Sequence, residues 1–302
     1  MGPGAPSSSA VMPQFGSVHV LEPQSRHTHS IILLHGLGST GEEFAEELLT
    51  AKLSTEKTLR DQLPACRWVF PSSCELWSTV FEEAMPAWFE AYSLTDITAR
   101  QDLQMDGIRK SVAYLTSILD EEIEKLGGAA DRVVLGGISQ GGAIGLWTLL
   151  CACAGGDTTT RRIGGFLAGS AWLPFAETLE RYLTGPSQAG GNLDIAPSDG
   201  ASINAVADAF VQSMTARTKH TLTERGSSEP PLLSIPVFLG HGVDDAYVDI
   251  ELGRQAAHIL KRIGLKVDWQ EYSGAEQEGH WLKEPEEFDD IVRFLASALG
   301  LS

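Results

Sequence analysis

Gly137-Ile138-Ser139-Gln140-Gly141 is the stretch on which the fold turns. It follows an apolar run, Val133-Val134-Leu135-Gly136, and precedes a helix-like run from Gly142 to Ala154. Strand, sharp turn, helix is the context in which a G-x-S-x-G pattern carries meaning. The turn is so tight that side chains beside the serine would collide, which explains the flanking glycines. Such a turn leaves a serine hydroxyl exposed at a strand end. The N–H of the next residue and a helix N-terminus then lie beside it, suited to stabilising negative charge.

Working outward, short aliphatic runs alternate with amphipathic ones. Residues 29–35, 67–70, 133–136, 163–167, 235–240 and 265–272 read as strands, most of them continuous apolar runs. Residues 42–49, 102–126, 142–154, 249–263 and 285–299 read as helices. Strands apolar on both faces and separated by helices imply an α/β fold, with a mainly parallel sheet and helices on both faces. Residues 1–16, rich in Pro, Gly and Ser, read as a disordered tail, and 17–302 as a single domain. Residues 184–231 differ in character and read as an insertion: loop-like ends enclose one short helix on which Ile203, Val206, Phe210, Val211 and Met214 share a face. A lid over the site and a packed surface segment are both compatible with it.

A serine hydroxyl needs a base in hydrogen-bond reach, and the base needs an orienting carboxylate. In α/β folds built around such an elbow, the acid follows the serine in the chain and the base comes last. The strand at 235–240 runs into His241-Gly242-Val243-Asp244-Asp245-Ala246-Tyr247-Val248. Asp245 has the H-G-x-x-D-x-x-V spacing and is the candidate acid; Asp244 reads as a turn residue. His280 follows the strand at 265–272 and is the candidate base, whereas His258 sits mid-helix. His35 and His241, each before a glycine at a strand end, read as residues that shape the site. The oxyanion donors are expected at the N–H groups of Gln140 and of Leu37 in Gly36-Leu37-Gly38. The chemistry calls for no metal and no cofactor.

Composition limits the partners. The net charge of -18 repels nucleic acid and anionic membranes. No apolar run is long enough for an integral membrane segment. Residues 1–15 lack the basic start and apolar stretch of a secretory leader. Cys66, Cys74, Cys151 and Cys153 form no CxxC pair and read as reduced thiols of a cytoplasmic protein.

Five segments, Leu34–Gly41, Met85–Phe89, Leu135–Gly142, Ser170–Pro174 and His241–Asp245, resemble the acyl-protein thioesterase, lysophospholipase and carboxylesterase family, in the family's own order. The resemblance covers about residues 30 to 300. It implies an α/β-hydrolase fold, a cytoplasmic location and hydrolysis of acyl thioesters or esters, with acylated protein or lipid and ester substrates as partners. It matches Ser139, Asp245 and His280 to the family's triad and Leu37 and Gln140 to its oxyanion donors. Aromatic and soft apolar residues in 74–89 and 172–173 suit an acyl groove as well as a core; the resemblance favours Trp88, Trp172 and Leu173 for the groove. The segment 184–231 is longer than the family's loop, and 274–280 is stretched before the histidine. Residues 279–285 look more like fungal carboxylesterase-type members. Three functions follow: thioesterase or lysophospholipase action, a general carboxylesterase for short or bulky esters, and a non-catalytic binding module on the same fold.

Overall fold

A computed structural model describes residues 14–93, 96–152, 162–184, 200–223 and 231–301. The strands are β1 (Val18–Leu21), β2 (His29–Leu34), β3 (Cys66–Pro71), β4 (Cys74–Ser78), β5 (Glu83–Ala87), β6 (Val133–Ile138), β7 (Gly165–Gly169), β8 (Pro236–Gly242) and β9 (Lys266–Tyr272). The helices are α1 (Gly41–Thr50), α2 (Leu59–Gln62), α3 (Gln101–Lys125), α4 (Gln140–Ala152), α5 (Ala176–Thr184), α6 (Gly200–Thr223), α7 (Ile250–Arg262) and α8 (Glu286–Leu299).

Seven strands form one sheet in the order β1-β3-β2-β6-β7-β8-β9. Among the described residues of this sheet, only β1 runs antiparallel, against β3. Period-two alternation divides the apolar side chains between two layers. Ile32, Leu34 and Leu135 pack toward α3, α4 and α7. Ile31, Leu33 and Val134 pack toward α1 and α8. The sheet is therefore covered on both faces, as its continuous apolar strands require. All six parallel strands point their C-terminal ends the same way, and the loops that leave β2, β6, β8 and β9 there carry the candidate residues.

The two-stranded sheet β4-β5 was not legible in the sequence. Strand β7 starts two residues later than the hydropathy suggests, and β8 continues through His241 and Gly242. The segment read as a tail contributes contacts: Phe15 bridges to Cys74 and stacks on Tyr114, 4.0 Å between centroids. Its first thirteen residues lie outside the described chain. Cys66 and Cys74 are free thiols, and burial pushes Cys66 up to about 12, far from reactivity at neutral pH; Cys151 donates its Sγ–H to the Met214 carbonyl at 3.4 Å, and Cys153 lies outside the described residues.

The helix in the 184–231 segment is longer than expected and belongs to the packed layer. Phe210 of α6 is 2 % exposed, with its ring 5.4 Å from Trp147 and 4.8 Å from Phe175. Thr218 donates its hydroxyl to the Leu150 carbonyl. At about 1.5 Å per residue, Leu150 lies roughly 16 Å along α4 from Ser139. The helix is thus fastened to the far end of α4. The remainder of the segment read as a lid or a packed insertion, residues 185–199 and 224–230, lies outside the described residues.

Candidate active site

Ser139 sits between β6 and α4 with φ at +54°, a left-handed conformation rare for a residue with a side chain. Two backbone bonds hold it there. Its N–H is donated to the Gly169 carbonyl at 2.9 Å, and its carbonyl accepts from Ala143 at 3.0 Å. The turn has no room for a larger residue at position 141: a Cβ there would lie 2.2 Å from the Leu34 carbonyl oxygen. Glycine is what lets α4 start so close to the end of β2. Gln140 opens α4, so its N–H is among those without an intrahelical acceptor.

The loop after β2 is pinned from below. Ser73 donates its N–H to His35 Nε2 at 3.0 Å, and His35 Nδ1 donates to the Gly36 carbonyl at 2.7 Å. Burial holds the His35 imidazole down at about 4, so it braces the loop as a neutral ring. The Trp88 indole N–H is donated to the His35 carbonyl at 2.9 Å, and Gly38 N–H to the Pro86 carbonyl at 2.8 Å. Leu37 is fixed between these two anchors. Position 36 lies over the serine: a Cβ built there would stand 3.8 Å from Ser139 Oγ.

Asp245 and His280 meet across two loops. His280 Nδ1 lies 2.8 Å from Asp245 Oδ2 and 3.0 Å from Oδ1. The contact depends on Gly279, whose φ is +83° and whose Cβ, if present, would fall 2.6 Å from the Asp244 backbone. Ala246 N–H is also donated to the Glu278 carbonyl at 3.0 Å. Asp244 faces elsewhere: its carboxylate accepts the Gly274 N–H at 3.0 Å. The Asp245 side chain is 0 % exposed. Burial alone would raise its carboxyl, but hydrogen bonding from His241, His280 and the Val248 N–H outweighs burial and holds it well below the usual carboxylate range. Tyr247 leans on the His280 ring at 5.4 Å.

The loop of His280 also touches the serine's support. Leu282 fills the space beside Gly169, the residue that accepts the Ser139 N–H; a Cβ on Gly169 would be 2.3 Å from Leu282 Cδ2. Ser170, next in the chain, donates its N–H to the Gly240 carbonyl at 3.0 Å. The ends of β6, β7 and β8 are therefore stitched together beneath Ser139, Asp245 and His280.

The three residues read as an acyl groove stand differently. Trp88, Trp172 and Leu173 are 0 %, 2 % and 1 % exposed. Trp88 is a brace between the His35 loop and Gln140, and Trp172 packs edge-on against Phe89 at 6.2 Å. As they stand they form packed wall, not open groove. Sequence reasoning missed one support, the Gln140 side chain; His241, read from its place at a strand end as shaping the site, stands 3.4 Å from Asp245 Oδ2. Among the described residues no group of three His, Cys, Asp or Glu is placed to hold a metal ion, and no helix is long and apolar enough to cross a membrane.

Comparison with known proteins places this geometry in context. The sequence profile of the phospholipase/carboxylesterase family matches residues 16–189. An acyl-protein thioesterase 1 of Gibberella zeae is 28 % identical over 284 residues, covering 93 % of this chain and 94 % of that protein. An acyl-protein thioesterase 1 of Candida albicans is 28 % identical over 269 residues, covering 88 % and 90 %. Among solved structures, Zea mays acyl-protein thioesterase 2 superposes with a TM-score of 0.62 at 23 % identity, covering 94 % of this chain and all of that one.

Proposed function

Since this chain belongs to the phospholipase/carboxylesterase family and is a serine hydrolase acting on acyl thioesters or esters, we propose that Ser139, His280 and Asp245 carry the reaction and that its substrates are long-chain acyl groups on proteins or lysolipids. The observation that supports this most is the pairing of His280 Nδ1 with the buried Asp245 carboxylate at 2.8 Å. It fixes the imidazole so that Nε2 is left for the serine. His280 takes the Ser139 proton as Oγ attacks the acyl carbonyl. The N–H groups of Gln140 and Leu37 receive the developing oxyanion. His280 then protonates the departing thiol or alcohol, and a water activated by the same imidazole frees the fatty acid. Substrate class rests on the fungal relatives, whose names describe acyl-protein thioesterases. The same reading puts the protein in the cytoplasm as one domain spanning 17–302.

Burial of Trp88, Trp172 and Leu173 supports a second reading, a general carboxylesterase for short or bulky esters, because it leaves no open acyl wall at those residues. Turnover of p-nitrophenyl esters from acetyl to palmitoyl separates the two. A preference for medium and long chains, lost in Ser139→Ala, supports the thioesterase reading. A Ser139-dependent preference for acetyl supports the second. Turnover in Ser139→Ala within tenfold of wild type would overturn both assignments of the nucleophile, since removing a triad member costs about 10⁴-fold or more.

A further inference from the structure

Asp245 faces two histidines. His241 Nε2 stands 3.4 Å from Asp245 Oδ2, and both side chains are 0 % exposed. The same Nε2 is 2.9 Å from the Val248 carbonyl. A carbonyl only accepts, so this nitrogen carries the proton. Among the described residues, His241 Nδ1 is buried without a hydrogen-bond partner. It is pressed toward Gly253, where a Cβ would come within 2.4 Å of it, and the ring tilts on Trp269 at 6.0 Å.

Val248 closes the circuit. It accepts from His241 and donates its own N–H to Asp245 Oδ1 at 2.9 Å, beside the Tyr247 N–H at 2.9 Å. Two side chains of the acid's loop face outward: Val243 and Tyr247 are 48 % and 46 % exposed. His241, by contrast, is part of β8, where its backbone pairs with Glu271 of β9. The ring thus carries the rigidity of the sheet across to the backbone that cages the carboxylate.

We infer that His241 is a positioning residue: through Val248, and through its approach to Oδ2, it sets the direction in which Asp245 presents its carboxylate to His280. The inference rests on the assignment of Ser139, Asp245 and His280 made above. It requires an N–H at the ε position and not merely a ring of that size. Glutamine places an amide nitrogen at the corresponding position along the side chain; phenylalanine keeps the ring and loses the donor.

The test uses the full chain with His241→Phe and His241→Gln, measured on a p-nitrophenyl ester beside Ser139→Ala and Asp245→Asn. The phenylalanine variant is expected to lose kcat on the order of a hundredfold, the scale of a small misplacement of a catalytic group. Its KM should stay within about threefold, as for a loss confined to the transition state. Glutamine should restore kcat to within roughly tenfold of wild type, as a retained donor would. A phenylalanine variant with wild-type kcat, or a folded glutamine variant as impaired as phenylalanine, overturns the inference. If the phenylalanine variant does not fold, ¹⁵N spectra of the wild-type imidazoles decide: an Nε2–H tautomer for His241 supports the inference and an Nδ1–H tautomer overturns it. Activity surviving in Ser139→Ala strikes the triad assignment itself. Its loss there, with His241→Phe unaffected, strikes the positioning role alone.

Discussion

Gln140 and Trp88 hold each other in the buried layer beneath the candidate nucleophile: Gln140 Oε1 accepts the Trp88 N–H at 2.9 Å, and its Nε2 donates to the Phe89 carbonyl at 2.9 Å. Because Trp88 in turn donates to the His35 carbonyl, both sides of the proposed oxyanion site are fastened to one tryptophan. Gln140→Leu removes both bonds and leaves a buried N–H and C=O unpaired, at roughly 1–3 kcal/mol each. Expected results are a fall of about 2–6 kcal/mol in unfolding free energy and, in the folded fraction, a lower kcat with little change in KM. Denaturant titration and steady-state kinetics check the two parts. Unchanged stability would mean that the side chain contributes nothing the leucine does not.

Ser139→Gly and Ser139→Ala are expected to differ in stability while sharing inactivity. The left-handed φ of +54° costs a residue with a Cβ roughly 1 kcal/mol or more, and glycine none of it. The glycine variant should therefore unfold at a higher denaturant concentration than the alanine variant, although glycine is usually the poorer choice through chain entropy. Equal midpoints would show that the strain relieved by glycine is no larger than the chain entropy it adds.

Much of this was legible before any coordinates. The elbow announces itself because glycines flank a serine between an apolar run and a helix. The spacing of Asp245 from His241 and Val248 singles it out from Asp244, and the structure puts Asp245 on His280 and Asp244 on Gly274. The rest was hidden for physical reasons. Strands β4 and β5 carry Glu75, Glu83 and Pro86 and pair mostly with each other, so they lack the apolar continuity of the buried strands. Trp88 and Trp172 are compatible with groove or core by type alone; only their burial and the partners of the Trp88 indole separate the two. The hydrogen-bonding role of Gln140 has no sequence signature, because its partners are backbone atoms more than fifty residues away.

Glu287 gives stability a dependence on pH. It lies in the first turn of α8, 2 % exposed, where Oε2 accepts the Lys283 N–H at 2.8 Å and Oε1 has no hydrogen-bond partner among the described residues. Burial, opposed by the Lys283 bond and reinforced by Asp290, pushes the carboxyl from 4.5 up to about 8. A raised pKa means that the folded state holds the proton longer than the unfolded chain does. Stability from this group is fully present below pH 4.5 and is lost as pH rises to about 8, at up to about 1.4 kcal/mol per pH unit. Glu287→Gln should remove that slope and be more stable than wild type at pH 8 to 9. Parallel curves for the two proteins from pH 5 to 9 would show that Glu287 does not titrate in this range.

Phe210 tests whether α6 belongs to the core or to the entrance of the site. Its ring lies between Trp147 and Phe175, with Arg109 over one face at 4.8 Å, and all of these contacts sit on the far part of α4 and its neighbours. Phe210→Ala is expected to cost about 3–5 kcal/mol, the range for a large aromatic removed from a core. The fraction that remains folded should keep the wild-type order of chain-length preference, because the cavity opens roughly 12 Å or more along α4 from Ser139. Unfolding curves give the first quantity, and turnover of p-nitrophenyl esters below the unfolding transition gives the second. A variant of wild-type stability whose preference shifts toward longer chains would turn the assignment around. It would make α6 part of the path by which acyl chains reach the serine.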